Sequence, residues 1–116
     1  MASIPADFVE YCCELLGSVG RCQAKRMFGG YGLSVDGLTL ALIDDRGDGP
    51  RLWLKANANT RAEFESAGCA RFTYTQRGKE RSMDYYSAPD EAMESAVQMR
   101  PWAERGWRAA LEANAR

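Results

Sequence analysis

The sequence predicts an α+β domain: one mainly antiparallel sheet of about five or six strands, with helices gathered on one face. Three observations carry this expectation. An apolar stripe at helical spacing opens the chain, formed by Phe8, Val9, Cys12, Leu15, Leu16 and Val19. From Cys22 onward the pattern changes to short extended runs punctuated by turn residues, Asp36-Gly37 above all. A helical segment with Ser95 and Gln98 in capping-box spacing closes the chain. The order is helix, strands, helix, strands, helices, and 116 residues suffice for a single domain, 1–116, around one core.

Ser3 with Pro5 just after it marks the first helix start, because proline is tolerated in a first turn. Gly17 and Gly20 end that helix, expected over roughly Pro5 to Leu16. The next stretch, Lys25 to Leu33, organises the rest. Gly29-Gly30 is a turn signal, and Gly32 within an apolar run points to a bulge or a close neighbour. Met27, Phe28, Tyr31 and Leu33 are expected to pack on either side of the bend. Strands are predicted over Arg21 to Phe28, with Cys22, Ala24 and Arg26 on one side, and over Tyr31 to Val35. Asp36-Gly37 then makes a tight hairpin, since both turn positions need positive φ. The third strand, Leu38 to Asp44, is apolar at nearly every position and should lie centrally, covered on at least one face.

Asp45 to Pro50 reads as a solvated hairpin loop; its acidic residues lack the ligand spacing of a calcium loop. Arg51 to Lys55 is the fourth strand. Asn57 or Asn59 caps a helix over Thr60 to Ala67, anchored by Phe64 and stopped by Gly68. Phe72 to Thr75 and Arg81 to Tyr86 are strands that turn at Gly78, and Ala88 to Glu91 opens a short acidic helical piece. In the last helical segment Pro101 either starts a fresh helix or kinks one already begun. Val97, Trp102, Trp107, Ala110 and Leu111 are its expected anchors to the sheet, with Gly106 a local weakness.

Composition narrows the function. A formal net charge of -1 and a pI near 5.5 argue against broad, salt-driven nucleic-acid binding but leave a local basic face open. No apolar run approaches the ~20 residues of a membrane span, and the N-terminus lacks the basic start and apolar core of a signal peptide, so a cytoplasmic location is expected. Cys12, Cys13, Cys22 and Cys69 form no CxxC pair, and histidine is absent. They are expected to be small buried thiols rather than ligands, with only one of the adjacent Cys12 and Cys13 facing the core fully.

No stretch declares a reaction. Gly29-Gly30-Tyr31-Gly32 is not a phosphate cradle, because Val35 stands where a third glycine would and the run continues as strand. Without histidine the usual triads are impossible, and the paired carboxylates look like loop and helix-surface groups. No catalytic residue, metal or cofactor is assigned. The hairpin at 71–81 is a candidate nucleic-acid contact through Arg71, Arg77, Lys79 and Arg81, with Phe72 and Tyr74 between them. The competing reading has both aromatics facing the core while the charges solvate a sheet edge.

Several separated runs together resemble the N-terminal domain of the TfoX/Sxy family, bacterial proteins associated with regulating competence for DNA uptake. They are Arg26 to Gly32, Leu40 to Ile43, Leu52 to Lys55, Phe64 to Gly68, Phe72-x-Tyr74, Met83-x-Tyr85-Tyr86, Pro89-x-Glu91 and Trp102-Ala103. The resemblance spans about Phe8 to Leu111. It implies a small α+β domain similar to secretion-chaperone-like folds, homodimeric pairing and a link to transcriptional control, and it offers no catalytic residues. Full-length members carry a further helical domain with no counterpart before Arg116, so a stand-alone copy is expected. The expected role is a non-enzymatic, protein-interacting regulatory module with an unidentified protein partner. Tyr31, Trp53 and Tyr85 are its candidate contacts on condition that they are exposed.

Overall fold

The computed structural model describes residues 4–27 and 29–115; the expectations for Ser3 and Phe28 lie outside the described residues. The chain runs α1 (Ala6–Leu15), a 3-10 turn (Leu16–Val19), β1 (Cys22–Met27), β2 (Gly30–Val35), β3 (Leu38–Asp45), β4 (Pro50–Lys55), α2 (Arg61–Ser66), β5 (Arg71–Gln76), β6 (Lys79–Ser87), a second 3-10 turn (Asp90–Glu94) and α3 (Ala96–Asn114). The fold is α+β, as the sequence predicts. Its six strands form one antiparallel sheet in the order β1-β2-β3-β4-β6-β5. β3 is internal, as its nearly continuous apolar run leads one to expect.

The turns follow from local chemistry. Asp36 and Gly37 have φ of 51° and 78°, and Arg77 and Gly78 have 53° and 75°, the paired positive values of tight hairpins. α2 stops in a Schellman arrangement: Gly68 N–H donates to the Glu65 carbonyl and Cys69 N–H to the Phe64 carbonyl. At its other end the Asn57 carboxamide oxygen accepts from the backbone N–H groups of Asn59 and Thr60. Ser95 caps α3, accepting from Gln98 N–H at 3.2 Å.

Pro101 neither starts nor stops α3, which runs through it. The carbonyl it orphans belongs to Val97, a residue 82% exposed, so the lost hydrogen bond falls on the solvent side of the helix. Val97 and Leu111 are not anchors, contrary to expectation; both are exposed. The buried stripe is Met99, Ala103, Gly106 and Ala110, which puts Val97 on the opposite side of the helix. Gly106 is no weakness here. A Cβ at that position would lie 3.2 Å from the Leu40 carbonyl oxygen, so glycine lets α3 settle directly onto the sheet backbone.

α1 and α3 cover one face, where Cys12, Leu15, Leu33, Leu54, Phe64, Tyr86 and Met99 join a single core. Each fully buried Leu or Phe contributes about 1.5–3 kcal/mol. Cys12 is buried and Cys13 only half so, and burial pushes the Cys12 thiol up to about 12. No helix among the described residues is long and apolar enough to cross a membrane.

Candidate interaction groove on the helix-free face

Strand register assigns each side chain to a face. Gly32, Leu42, Trp53 and Ser87 stand opposite one another across β2, β3, β4 and β6, and therefore share a face. Leu33, Ala41, Leu54 and Tyr86 share the other face, against the helices. The first set belongs to a side of the sheet that no helix covers. There the sheet curls so that both edge strands, β1 through Met27 and β5 through Phe72 and Tyr74, border one groove of about 640 Å³. Leu42, Met83 and Tyr85 are among the other residues that line it.

The glycine-rich bend shapes one end. Gly29 turns with φ 79°, and Gly30 presses against β3, where a Cβ would fall 2.2 Å from the Ile43 carbonyl oxygen. Gly32 has no side chain of its own to present, and Met27 fills the place: a Cβ there would meet the Met27 sulfur at 2.5 Å. The register slips just after, between Leu33 and Ser34, so the sequence signal of a bulge or close neighbour marks both.

Trp53 and Tyr85 do not meet the exposure expected of them, at 3% and 6%. Trp53 lies under the groove. Its indole N–H donates to Asp44 at 2.8 Å, Phe72 packs edge-on at 4.9 Å, and Arg46 covers both rings while donating to the second Asp44 oxygen at 2.9 Å. Trp53 is therefore scaffold. Tyr85 lines the groove but is shielded by Lys55, which sits 5.0 Å from its ring centre and donates to its hydroxyl at 3.4 Å. Burial raises the Tyr85 hydroxyl pKa and lowers that of the Lys55 ammonium. Tyr31 is half-buried at the rim, beneath Arg26.

The basic hairpin divides. Arg77, Lys79 and Arg81 are exposed. Arg71 is committed elsewhere: with Arg61 it holds the Asp84 carboxylate, Arg61 through two contacts of 2.9 and 2.7 Å and Arg71 at 2.9 Å. Phe72 and Tyr74 face the groove rather than the helix-covered core, which corrects the competing reading of that hairpin. Hydrogen bonds from Arg61 hold the Asp84 pKa below its ordinary value. A depressed carboxylate pKa stabilises the fold above the unfolded value near 4, and that stability is lost as pH falls through the folded value. Asp84→Asn is thus expected to lower the urea midpoint slightly at pH 7, the ions being partly screened. The gap from the wild type should close as the pH drops below about 4.

Residues 14–110 match the model of the TfoX N-terminal domain. The chain belongs to that family. The TfoX-type match takes in all six strands and α2, and most of α3, so the whole wall of the groove lies inside it. No curated protein matches the chain significantly. Met27, Leu42 and Met83, which line the groove of this TfoX-type domain, were not among the sequence-derived contact candidates, and Phe72 and Tyr74 entered only as base-stacking aromatics of the basic hairpin. The signal was present in Phe72-x-Tyr74 and Met83-x-Tyr85, period-two pairs that put two apolar side chains on one face of their strand.

Proposed function

We propose that this chain is a non-catalytic regulatory module that holds a protein partner in the groove on its helix-free face. Its setting is the bacterial cytoplasm and the control of competence, the role with which TfoX-type proteins are associated. The observation that carries the reading is the apolar floor itself. Met27, Tyr74 and Met83 are each between 36% and 38% exposed and border one depression, an arrangement that marks interaction surfaces more than isolated surface hydrophobes do. The absence of enzymatic activity is supported by the lining: its one carboxylate, Asp44, is occupied by Trp53 and Arg46, and proton transfer needs groups that can converge on a substrate.

A photo-crosslinking amino acid placed at Met83 in native cells, with Arg108 on the helix side as control, tests the assignment. The expected result is a protein adduct from position 83 and none from position 108. Adducts of equal yield from both sites, or none from 83, would remove it. The homodimer carries over as part of the proposal, through a surface other than the groove, because two cation-rimmed grooves set face to face would repel. Sedimentation velocity should give a dimer for both the wild type and Met83→Glu; a monomer at high concentration refutes the pairing.

A further inference from the structure

We infer that the groove takes one amphipathic α-helix of a partner, bearing an apolar stripe flanked by acidic residues. This rests on the proposed partner-holding role and gives that partner a chemistry.

Backbone bookkeeping selects a helix. Across the middle of the floor β2, β3 and β4 pair with one another, and the free strand edges belong to β1, to β5 and to the 79–83 part of β6. An extended peptide satisfies its backbone only along one of those edges, which leaves the apolar floor between them unfilled. Polar side chains cannot replace an edge: Asp44 and Arg46 bond each other, which leaves Gln76 and the hydroxyls of Tyr31, Tyr74 and Tyr85 against a whole peptide backbone. A helix satisfies its backbone internally and presents only side chains. Two of the wall residues, Met27 and Met83, are flexible thioethers, which adapt to a row of aliphatic knobs.

Charge selects acidic flanks. Lys79 stands opposite Gln76 and Arg81 opposite Tyr74, so both point to the groove side of the hairpin. Lys25 shares a face with Met27 on β1, and Arg46 and Arg51 lie over Trp53. Two of these five are already paired, Arg46 with Asp44 and Arg51 with Asp48, which leaves Lys25, Lys79 and Arg81 to meet an acidic flank. The near-neutral total conceals a segregation: ten of the sixteen carboxylates lie in α1, α2, α3 and the second 3-10 turn, while ten of the fifteen Lys and Arg lie in the strands and their connections. A complementary acidic surface speeds encounter and fixes orientation.

The same geometry disfavours a single-stranded nucleic acid, which needs open aromatic faces for its bases. Trp53 is covered by Arg46 and Arg51, Phe72 by Arg46, and Tyr85 by Lys55; of the groove's aromatics only Tyr74 is exposed.

Selection of a phage-displayed library of random 16-residue peptides on the intact protein decides the matter, with binding of enriched peptides then measured by anisotropy. The expected result is enrichment of helical-period sequences with Asp or Glu flanks. Their affinity should fall at least tenfold with Met83→Glu and again with Lys79→Glu/Arg81→Glu, and weaken with salt. Peptides that need Met83 but carry neutral or basic flanks, or that bind extended, overturn the inference and leave the partner-holding role standing. Failure to enrich any peptide that depends on Met83 overturns both. Tighter binding of a 15-nucleotide oligothymidylate than of any peptide, lost in Tyr74→Ala, overturns it in favour of nucleic acid.

Discussion

Gly30→Ala is expected to destabilise the domain by about 3 kcal/mol, the largest loss among the three glycines of the bend. The new methyl group would sit 2.2 Å from the Ile43 carbonyl oxygen, and that oxygen belongs to the backbone of β3. It cannot swing aside as a side chain would; the β2–β3 pairing has to open. Gly29→Ala meets nothing within 4 Å but must hold φ at 79°, a left-handed conformation that costs about 1–2 kcal/mol for a residue with a Cβ. Gly32→Ala meets only the tip of Met27, whose exposed side chain can leave at a cost below about 1 kcal/mol. Urea midpoints should therefore fall in the order Gly30, Gly29, Gly32, from worst to mildest. Faster amide exchange in β2 and β3 should accompany the first alone. A Gly29→Ala more damaging than Gly30→Ala would contradict the packing described.

That ranking shows where sequence is legible and where it stops. The turn at Gly29 and the hairpin at Asp36-Gly37 are local properties of two or three residues, so glycine and aspartate announce them. The collision at Gly30 is with residue 43, across a strand pair, and nothing within the bend records it. The anchors of α3 fail for the same reason. Val97 and Leu111 are as hydrophobic as Met99 and Ala110, and only the small residues Ala103 and Gly106 reveal which stripe lets the helix lie against the sheet. Apolar character says that a side chain prefers burial; closeness of approach says which one gets it.

The groove was half legible for a related reason. Aromatic residues dominate known interfaces, so Tyr31, Trp53 and Tyr85 attract attention, yet a large ring also has most to gain from being covered by its own chain. Here Arg46, Phe72 and Asp44 cover Trp53, the loop folding back by contacts that no strand periodicity encodes. What remains available on the surface is the less conspicuous set, with two methionines in it. Charge was misleading in the aggregate and informative in its distribution. A formal net charge of -1 argues against a basic ligand surface only until the helices are seen to hold most of the acid.

Separating scaffold from contact yields the other large effect. Trp53→Ala empties a site that is 3% exposed and removes the indole N–H that Asp44 accepts from, so a loss of about 3–5 kcal/mol is expected. Trp53→Phe keeps most of the volume and should lose about 1 kcal/mol, chiefly the hydrogen bond, because Arg46 still holds the carboxylate. Met83→Glu, at a residue 38% exposed, should change stability by no more than about 0.5 kcal/mol while abolishing groove-dependent adducts and peptides. The two sites thus dissociate in opposite directions: one removes the fold and takes binding with it, the other removes binding from an intact fold. Denaturant midpoints and amide exchange measure the first quantity, anisotropy with a selected peptide the second. If Trp53→Phe lost binding as completely as Met83→Glu while keeping its midpoint, the indole would be a contact surface after all. The floor of the groove would then have to open in solution to present it.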